Sequence, residues 1–206
     1  INRTKMATVD KEIILLKVSG QDKPGVTAGL TAILANYGAT ILDIGQADIH
    51  DTLSLGILFE VKAGSGSGSV LKDLLFKGYE LGIKVKFIPI SISDYEVWVK
   101  GQSKQRYIIN VLGETLTAVQ MAAVTKIVSD QKLNIDSIIR LTGRTSVIEE
   151  EEYPRSCVQL SVTGVIKDKT VMTAKFMEIS GEFDVDISFQ EDNMYRRNRR
   201  LVCFDM

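Results

Sequence analysis

The chain has 206 residues, of which 45% are hydrophobic and 25% charged; this suits a folded globular protein and leaves room for two small domains. Its 25 Lys and Arg residues against 26 Asp and Glu residues give a net charge of −1, which offers no reason to expect a nucleic acid or an acidic membrane as partner. No apolar run approaches the roughly 18 residues of a membrane span, no signal peptide is evident, and Cys157 and Cys203 are expected to be free thiols in the cytosol.

The first half of the chain carries four strand patterns and two helix patterns. Val26, Leu30, Ile33 and Leu34 recur at helical spacing, and Gly38 stands where a helix is expected to stop. In chain order, the predicted elements are a strand at 12–20, a helix at 26–37, strands within 40–51 and 53–61 around a turn at Asp51 and Thr52, a helix at 69–81 and a strand at 83–91.

The same order recurs in the second half of the chain. The predicted elements there are a strand at 106–114, a helix at 117–131, strands at 134–141 and 156–164, a helix at 168–180 and a strand at 185–189. Sliding the sequence by 94 positions aligns five apolar pairs, all expected in the core: Leu30 with Val124, Ile33 with Ile127, Leu34 with Val128, Ile41 with Ile135, and Ile44 with Ile138. This alignment indicates an internal duplication.

The repeated βαββαβ order predicts an α+β fold made of two ferredoxin-like units, each an antiparallel sheet with helices on one face. We place the first unit at 6–93 and the second at 104–192, with a seam near 101–105. Residues 193–206 are expected to form a basic linker and the start of a further domain.

The strongest local signal for binding is the run Asp22, Lys23, Pro24, Gly25 and Val26, between the first strand and the first helix. Pro24 presets φ for a helix start, and Gly25 lets another group approach the backbone closely. Asp22 is placed to cap the helix, and the free amides of its first turn attract a carboxylate. Such a junction suits an amino acid, although the same residues also make an ordinary turn.

A D-x-P-G turn at this place in a βαββαβ unit, followed by a second such unit, resembles the ACT domain family of regulatory modules. The resemblance implies that a small amino acid binds where two modules pair side by side, with residues 22–26 as one wall. The other wall would come from the second strand of a neighbouring module, where Thr40, Asp43 and Gln46 are the polar candidates. Solvated positions on an edge strand are the alternative for these three residues.

The second unit departs from the family pattern. Its corresponding turn, 112–120, has neither the Pro nor a Gly at the close-approach position, although Glu114 could cap the helix. We therefore expect the first unit to hold the ligand and the second to be its pairing partner, with Asn134 able to reach the ligand. Edge strands left over after pairing favour a homodimer.

Other features are weaker candidates for a site. His50, the one histidine, is expected at the surface, and the acidic run at 149–152 is expected to be a solvated hairpin tip, not a metal site. RNA-recognition motifs and acylphosphatases share the element order. The stacking aromatics of the former and the arginine phosphate loop of the latter are missing.

The end of the chain, Leu201-Val202-Cys203-Phe204-Asp205-Met206, follows a basic run at 196–200 and resembles motif I of the haloacid dehalogenase superfamily. Together with tandem ACT modules, it resembles bacterial phosphoserine phosphatases. The resemblance implies that Asp205 is the nucleophile of a longer, Mg²⁺-dependent parent enzyme. The second aspartate of the motif would be residue 207, so it also implies a fragment without phosphatase activity or a cofactor of its own.

We therefore predict a cytoplasmic regulatory fragment of a phosphoserine phosphatase, which hydrolyses O-phosphoserine in serine biosynthesis. The expected partners are a small amino acid, L-serine first, a second copy of the chain and the parent's catalytic domain, with no nucleic acid and no membrane. The alternative is a stand-alone pair of ACT modules acting as an interaction protein of amino acid metabolism, which leaves residues 196–206 unexplained.

Overall fold

The computed structural model describes residues 11–62, 67–101, 104–143 and 155–192. The chain divides into two units, Ile1–Lys100 and Gly101–Met206. The elements of unit 1 are β1 (Lys11–Gln21), α1 (Val26–Asn36), β2 (Thr40–Ile49), β3 (Thr52–Lys62), α2 (Ser67–Leu81), β4 (Lys84–Ile90) and α3 (Ile92–Gly101). Those of unit 2 are β5 (Arg106–Gly113), α4 (Ala118–Asp130), β6 (Asn134–Arg140), β7 (Ser156–Thr163), α5 (Lys169–Phe183) and β8 (Asp186–Glu191).

Each unit contains one four-stranded antiparallel sheet, in the order β2-β3-β1-β4 in unit 1 and β6-β7-β5-β8 in unit 2. In unit 1 the core lies on one sheet face, because every second residue of β1 and β3 is buried there against α1 and α2. Val26, Leu30 and Leu34, one face of α1, are buried in this core. The opposite sheet face, here called the open face, carries the remaining alternate residues. The predicted α+β class is confirmed.

The duplication extends to an irregularity of the backbone. The β2–β3 pairing shifts register between Ile41 and Asp43, and the β6–β7 pairing shifts between Ile135 and Ser137. The two bulges therefore fall at Leu42 and Asp136, the same 94 positions apart as the aligned helices. Bulges are conserved features of a sheet and not defects, so a shared bulge supports a common origin of the units.

Two local predictions were wrong. The β2–β3 turn lies at His50 and Asp51, one residue earlier than predicted, and both residues have positive φ (51° and 58°), the arrangement of a tight type I′ hairpin. We did not predict α3. Its signal was present, because Ser91 Oγ accepts a hydrogen bond from Asp94 N (3.0 Å), a helix-capping pattern at the start of a short helix.

Three isoleucines predicted in the core are exposed. Ile41, Ile44 and Ile138 are 43%, 46% and 49% exposed. The reason is that β2 and β6 are edge strands, so the helices that bury the central strands do not cover them fully. Leu30, Leu34, Val124, Ile127 and Val128 are buried as predicted.

The two units start their first helices differently. Gly25, in the left-handed region (φ 92°, ψ −6°), is the N-cap of α1, which has no side-chain cap hydrogen bond; the predicted cap by Asp22 was therefore wrong. In unit 2 the cap is Thr117, not Glu114 as predicted. Thr117 and Gln120 form a capping box, in which each side chain accepts from the other's backbone N–H (3.3 and 2.7 Å).

This difference predicts unequal costs for removing a polar side chain at the two junctions. Thr117→Ala should lower the free energy of unfolding by about 1 kcal/mol, because it removes a cap, whereas Asp22→Ala should change it by less than about 0.5 kcal/mol. Urea unfolding followed by far-UV circular dichroism measures both. An Asp22→Ala cost equal to that of Thr117→Ala would contradict the cap assignment.

Candidate functional site

The loop of residues 22–25 leaves β1 and reaches α1 at one end of unit 1, and its four residues are exposed. Its position is set by a backbone hydrogen bond, because Asp22 N donates to Asp51 O in the β2–β3 turn (2.8 Å). The loop, the first turn of α1 and this hairpin turn therefore lie side by side. Together with Gln46, we call this region the α1 entrance.

Gly25 is required at the α1 entrance by its conformation and not by crowding. Its φ of 92° is one that residues with a Cβ rarely adopt. A Cβ built on Gly25 would meet nothing within 4 Å, so the space beside the loop is open. A small molecule can therefore approach the backbone at the start of α1.

The first turn of α1 presents backbone N–H groups to this space. Val26 N donates to Lys23 O (3.4 Å) and Gly29 N to Gly25 O (2.8 Å), but within the described residues no acceptor takes the N–H of Thr27 or Ala28. Unpaired amides and the helix dipole make a helix N-terminus favourable for an anion. The side chain of Val26 is buried, so only its backbone can contribute here.

Gln46 of β2 joins the same place from the helix side of the sheet. The Thr27 hydroxyl donates to Gln46 Oε1 (2.8 Å), which leaves the carboxamide N–H₂ of Gln46 to donate elsewhere. Thr27 and Asp51 were not predicted. The sequence could have pointed to Thr27, because it places a hydroxyl in the first turn of a predicted helix. It could not have pointed to the Asp51 carbonyl, because the hydrogen bond from Asp22 N depends on how the hairpin folds.

Thr40 and Asp43 do not accompany Gln46. Gln46 lies opposite Leu55, a core residue, whereas Thr40 and Asp43 lie opposite Glu60 and Leu58 on the open face. The bulge at Leu42 separates Thr40 from Gln46, since one extra residue inverts the alternation of the strand before it, whereas Asp43 lies on the opposite face from Gln46 by ordinary alternation. The structure thus brings Gln46 to the loop of its own unit, and a role for Thr40 and Asp43 at a neighbouring module stays a prediction.

Unit 2 differs at its own junction in having a side-chain cap. Its capping box engages the Thr117 and Gln120 backbone N–H groups, but within the described residues no acceptor takes the N–H of Ala118 or Val119. Asn134, the other predicted ligand residue, donates to Asp136 Oδ1 (2.8 Å), which also accepts from Thr163 Oγ1 (3.1 Å). A role for Asn134 in binding stays a prediction as well.

Several predicted features lie outside the described residues: Asp205, the basic run at 196–200 and the acidic run at 149–152. In the part of the chain that is described, no group of three or more His, Cys, Asp or Glu side chains could hold a metal ion. Among the described helices, none has the length and apolarity that a membrane span needs.

The geometry of the α1 entrance suits a small zwitterion. Two amides at a helix start can bind a carboxylate, the Gln46 carboxamide can donate to a polar side chain, and the exposed Asp22 carboxylate can balance an ammonium group. Groups of these kinds can bind and orient a small ligand.

Comparison with known proteins agrees with the fold in both units. ACT domain family models match residues 12–88 and residues 106–190. A solved structure of a protein from Galdieria sulphuraria matches with a TM-score of 0.68 and 17% identity, over 89% of this chain and 99% of that one. At this identity the likeness concerns the fold alone.

Among curated proteins, the chain is similar to two phosphoserine phosphatases. It is 30% identical to that of Streptomyces coelicolor over 97% of its length, and 28% identical to SerB2 of Mycobacterium tuberculosis over 95%. In each case it spans only 45% of the relative. A UPF0237 protein of Methanococcus maripaludis is 36% identical over 75 residues, which cover 36% of this chain and 83% of that protein. With two matching models over most of its length, the chain belongs to the ACT domain family.

Proposed function

We propose that unit 1 binds a small free amino acid, L-serine first, at the α1 entrance, and that the chain is the regulatory part of a phosphoserine phosphatase. The observation that carries the proposal is the meeting of unpaired helix amides, Gly25 and Gln46 at one open place, held by the Asp22–Asp51 backbone hydrogen bond. The similarity to two phosphoserine phosphatases over nearly the whole chain supports the choice of serine, which is the product of that enzyme.

Each part of L-serine has a matching group. Its carboxylate would accept from the N–H groups of Thr27 and Ala28, where the helix dipole adds to the attraction. Its ammonium group would lie beside the Asp22 carboxylate, and its hydroxyl would accept from the Gln46 carboxamide. Pro24 and Lys23 would act by shaping the loop, since Lys23 O accepts from Val26 N.

A neighbouring module would complete the pocket. The β2 edge of unit 1 is free within that sheet, and Ile41 and Ile44 on it are partly exposed. An edge strand with apolar side chains is suited to pairing with another strand. Pairing of two modules, in one chain or in a homodimer, would cover these isoleucines and bring Thr40, Asp43 or Asn134 from one module toward the ligand of another.

The catalytic part of the proposed enzyme would lie beyond the ACT units. There, Asp205 would be the nucleophile and Mg²⁺ would be held by residues that follow it. Serine would act by feedback, which requires that it bind one arrangement of the modules more tightly than another. Reading the coding sequence after position 206 tests this part: Asp-Ser-Thr supports the phosphatase, and a stop codon contradicts it.

A second candidate function is a stand-alone regulator. It is favoured by the relative from Methanococcus maripaludis, most of which is covered by a segment the length of one unit. Such a protein would use ACT pairing for interaction alone, without a phosphatase, and a stop codon after position 206 would support it.

Calorimetric titration of L-serine into the chain tests the binding site. Saturable binding is expected, with Gln46→Leu and Thr27→Val each weakening it about ten-fold, because each removes one polar contact at the α1 entrance. Gly25→Val is expected to abolish binding, since Val is strained at this φ and fills the open space. Thr31→Val, one turn further along α1, removes a hydroxyl that donates to its own helix (2.9 Å to Thr27 O) and should bind like wild type.

Circular dichroism spectra of the four variants establish that each is folded. Absence of binding by the wild-type chain, or equal weakening by Thr31→Val and Gln46→Leu, would contradict the assignment. Glycine, which lacks the hydroxyl that Gln46 would bind, should bind more weakly than L-serine and respond less to Gln46→Leu.

Sedimentation velocity tests the proposed pairing. The wild-type chain is expected to sediment as a dimer, and Ile44→Lys should shift it toward monomer by placing a charge on the β2 edge. The control is Val165→Lys, at another exposed apolar residue, 72% exposed and outside any strand edge. A monomeric wild type would contradict pairing between chains, and an Ile44→Lys variant that remains a dimer would contradict pairing between chains through β2.

A further inference from the structure

The open face of the unit 1 sheet carries a cluster of three lysines. In the strand register, Gly56 of β3, Lys17 of β1 and Lys86 of β4 form one row across the sheet. Ser54, Ser19 and Lys84 form the next row on the same face. We call these six residues the lysine grid.

The lysines of the grid are exposed, and no carboxylate in the described part of the chain pairs with them. Lys17, Lys84 and Lys86 take part in no ion pair within the described residues. Glu60, on the same face, is held by Lys11 (2.8 Å). Lys17 and Lys86 lie directly opposite each other on adjacent strands, a placement in which like charges destabilise a sheet.

The twin unit shows that the fold does not need these charges. At the matching places in unit 2, Gln159, Asn110 and Ser188 form the first row, and Cys157, Leu112 and Asp186 form the second. Two lysines face each other at this place in unit 1. In unit 2, two neutral side chains stand there instead, and Asn110 Nδ2 donates a hydrogen bond to Ser188 Oγ (3.1 Å). Where unit 1 has Lys84, unit 2 has the carboxylate of Asp186.

The grid also forms a shallow hollow. Leu15, Val18, Leu55 and Val85 complete the lining around it, and its volume is ≈ 440 Å³. Gly56 has no side chain to fill the middle of the face, and the hydroxyls of Ser19 and Ser54 stand beside the lysines. Ammonium and hydroxyl groups are donors that together suit the several acceptor oxygens of a phosphate group.

We propose that the lysine grid binds a phosphate group, either as inorganic phosphate or as a small phosphomonoester. A compact dianion would neutralise the Lys17–Lys86 repulsion and accept from Lys84 and the two serines, which a single carboxylate could do only in part. The site lies on the sheet face opposite α1 and Gln46, so it is separate from the α1 entrance. It does not depend on the proposed amino acid site.

The test is calorimetric titration of inorganic phosphate into the full chain at constant ionic strength, balanced with chloride. The wild type should bind saturably. The variant Lys17→Asn with Lys86→Ser, which installs the neutral pair that unit 2 already uses, should weaken binding at least about ten-fold. Lys126→Ser with Lys167→Ser removes the same charge from unit 2 and should leave binding unchanged.

Glycerol 3-phosphate in a second titration distinguishes the two sources of the phosphate group. Tighter binding than inorganic phosphate assigns the hollow to phosphomonoesters, and tighter binding of inorganic phosphate assigns it to the free ion. The unfolding temperature at low salt gives an independent readout. Without ligand it should be equal or higher in the Lys17→Asn, Lys86→Ser variant, and added phosphate should raise it in wild type only.

Three results would overturn the proposal. One is no saturable binding of either phosphate by the wild type. Another is equal weakening by the grid variant and the unit 2 variant, since this would show a response to net charge alone. The third is binding of an oligoglutamate peptide where neither phosphate binds, which would identify the grid as a contact for an acidic protein.

Discussion

The backbone hydrogen bond from Asp22 N to Asp51 O determines the arrangement at the α1 entrance. It holds the loop after β1 against the turn between β2 and β3, and the left-handed Gly25 then directs the chain into α1. With Gly25 as N-cap, no side chain covers the start of the helix. The helix amides therefore remain available beside Gln46, whose position is in turn held by Thr27. Helix starts in proteins are usually capped from within, and an uncapped, open one is available to an external anion.

The duplication gives this protein an internal control. Unit 2 uses its own side chains at the two places where unit 1 does not: Thr117 and Gln120 cap its helix, and Asn110 donates to Ser188 across its sheet. Both units nevertheless build the same sheet, core and bulge. The uncapped start of α1 and the opposed lysines of unit 1 are therefore not demanded by folding.

The sequence predicted the parts of the structure that depend on periodicity. Buried residues of α1 and α4 follow the 94-residue shift, and the βαββαβ order of both units is as expected, with α3 as an additional helix. It could not predict which face Thr40 takes, because a bulge is a backbone irregularity without a residue signature. Nor could it predict the exposure of Ile44, which depends on β2 lying at the sheet edge. The assignment of Asp22 as a cap failed because Gly25, three residues later, occupies the cap position.

We propose that the start of α1, and not that of α4, receives an amino acid carboxylate. The most direct measurement of this is a series of ¹H–¹⁵N correlation spectra of the chain during titration with L-serine. Saturable shifts are expected for the Thr27 and Ala28 amides and for the Gln46 side-chain amide, with the Gln120 amide of unit 2 unmoved. Shifts centred on the α4 start, or no shift of the Thr27 and Ala28 amides at saturating serine, would contradict it.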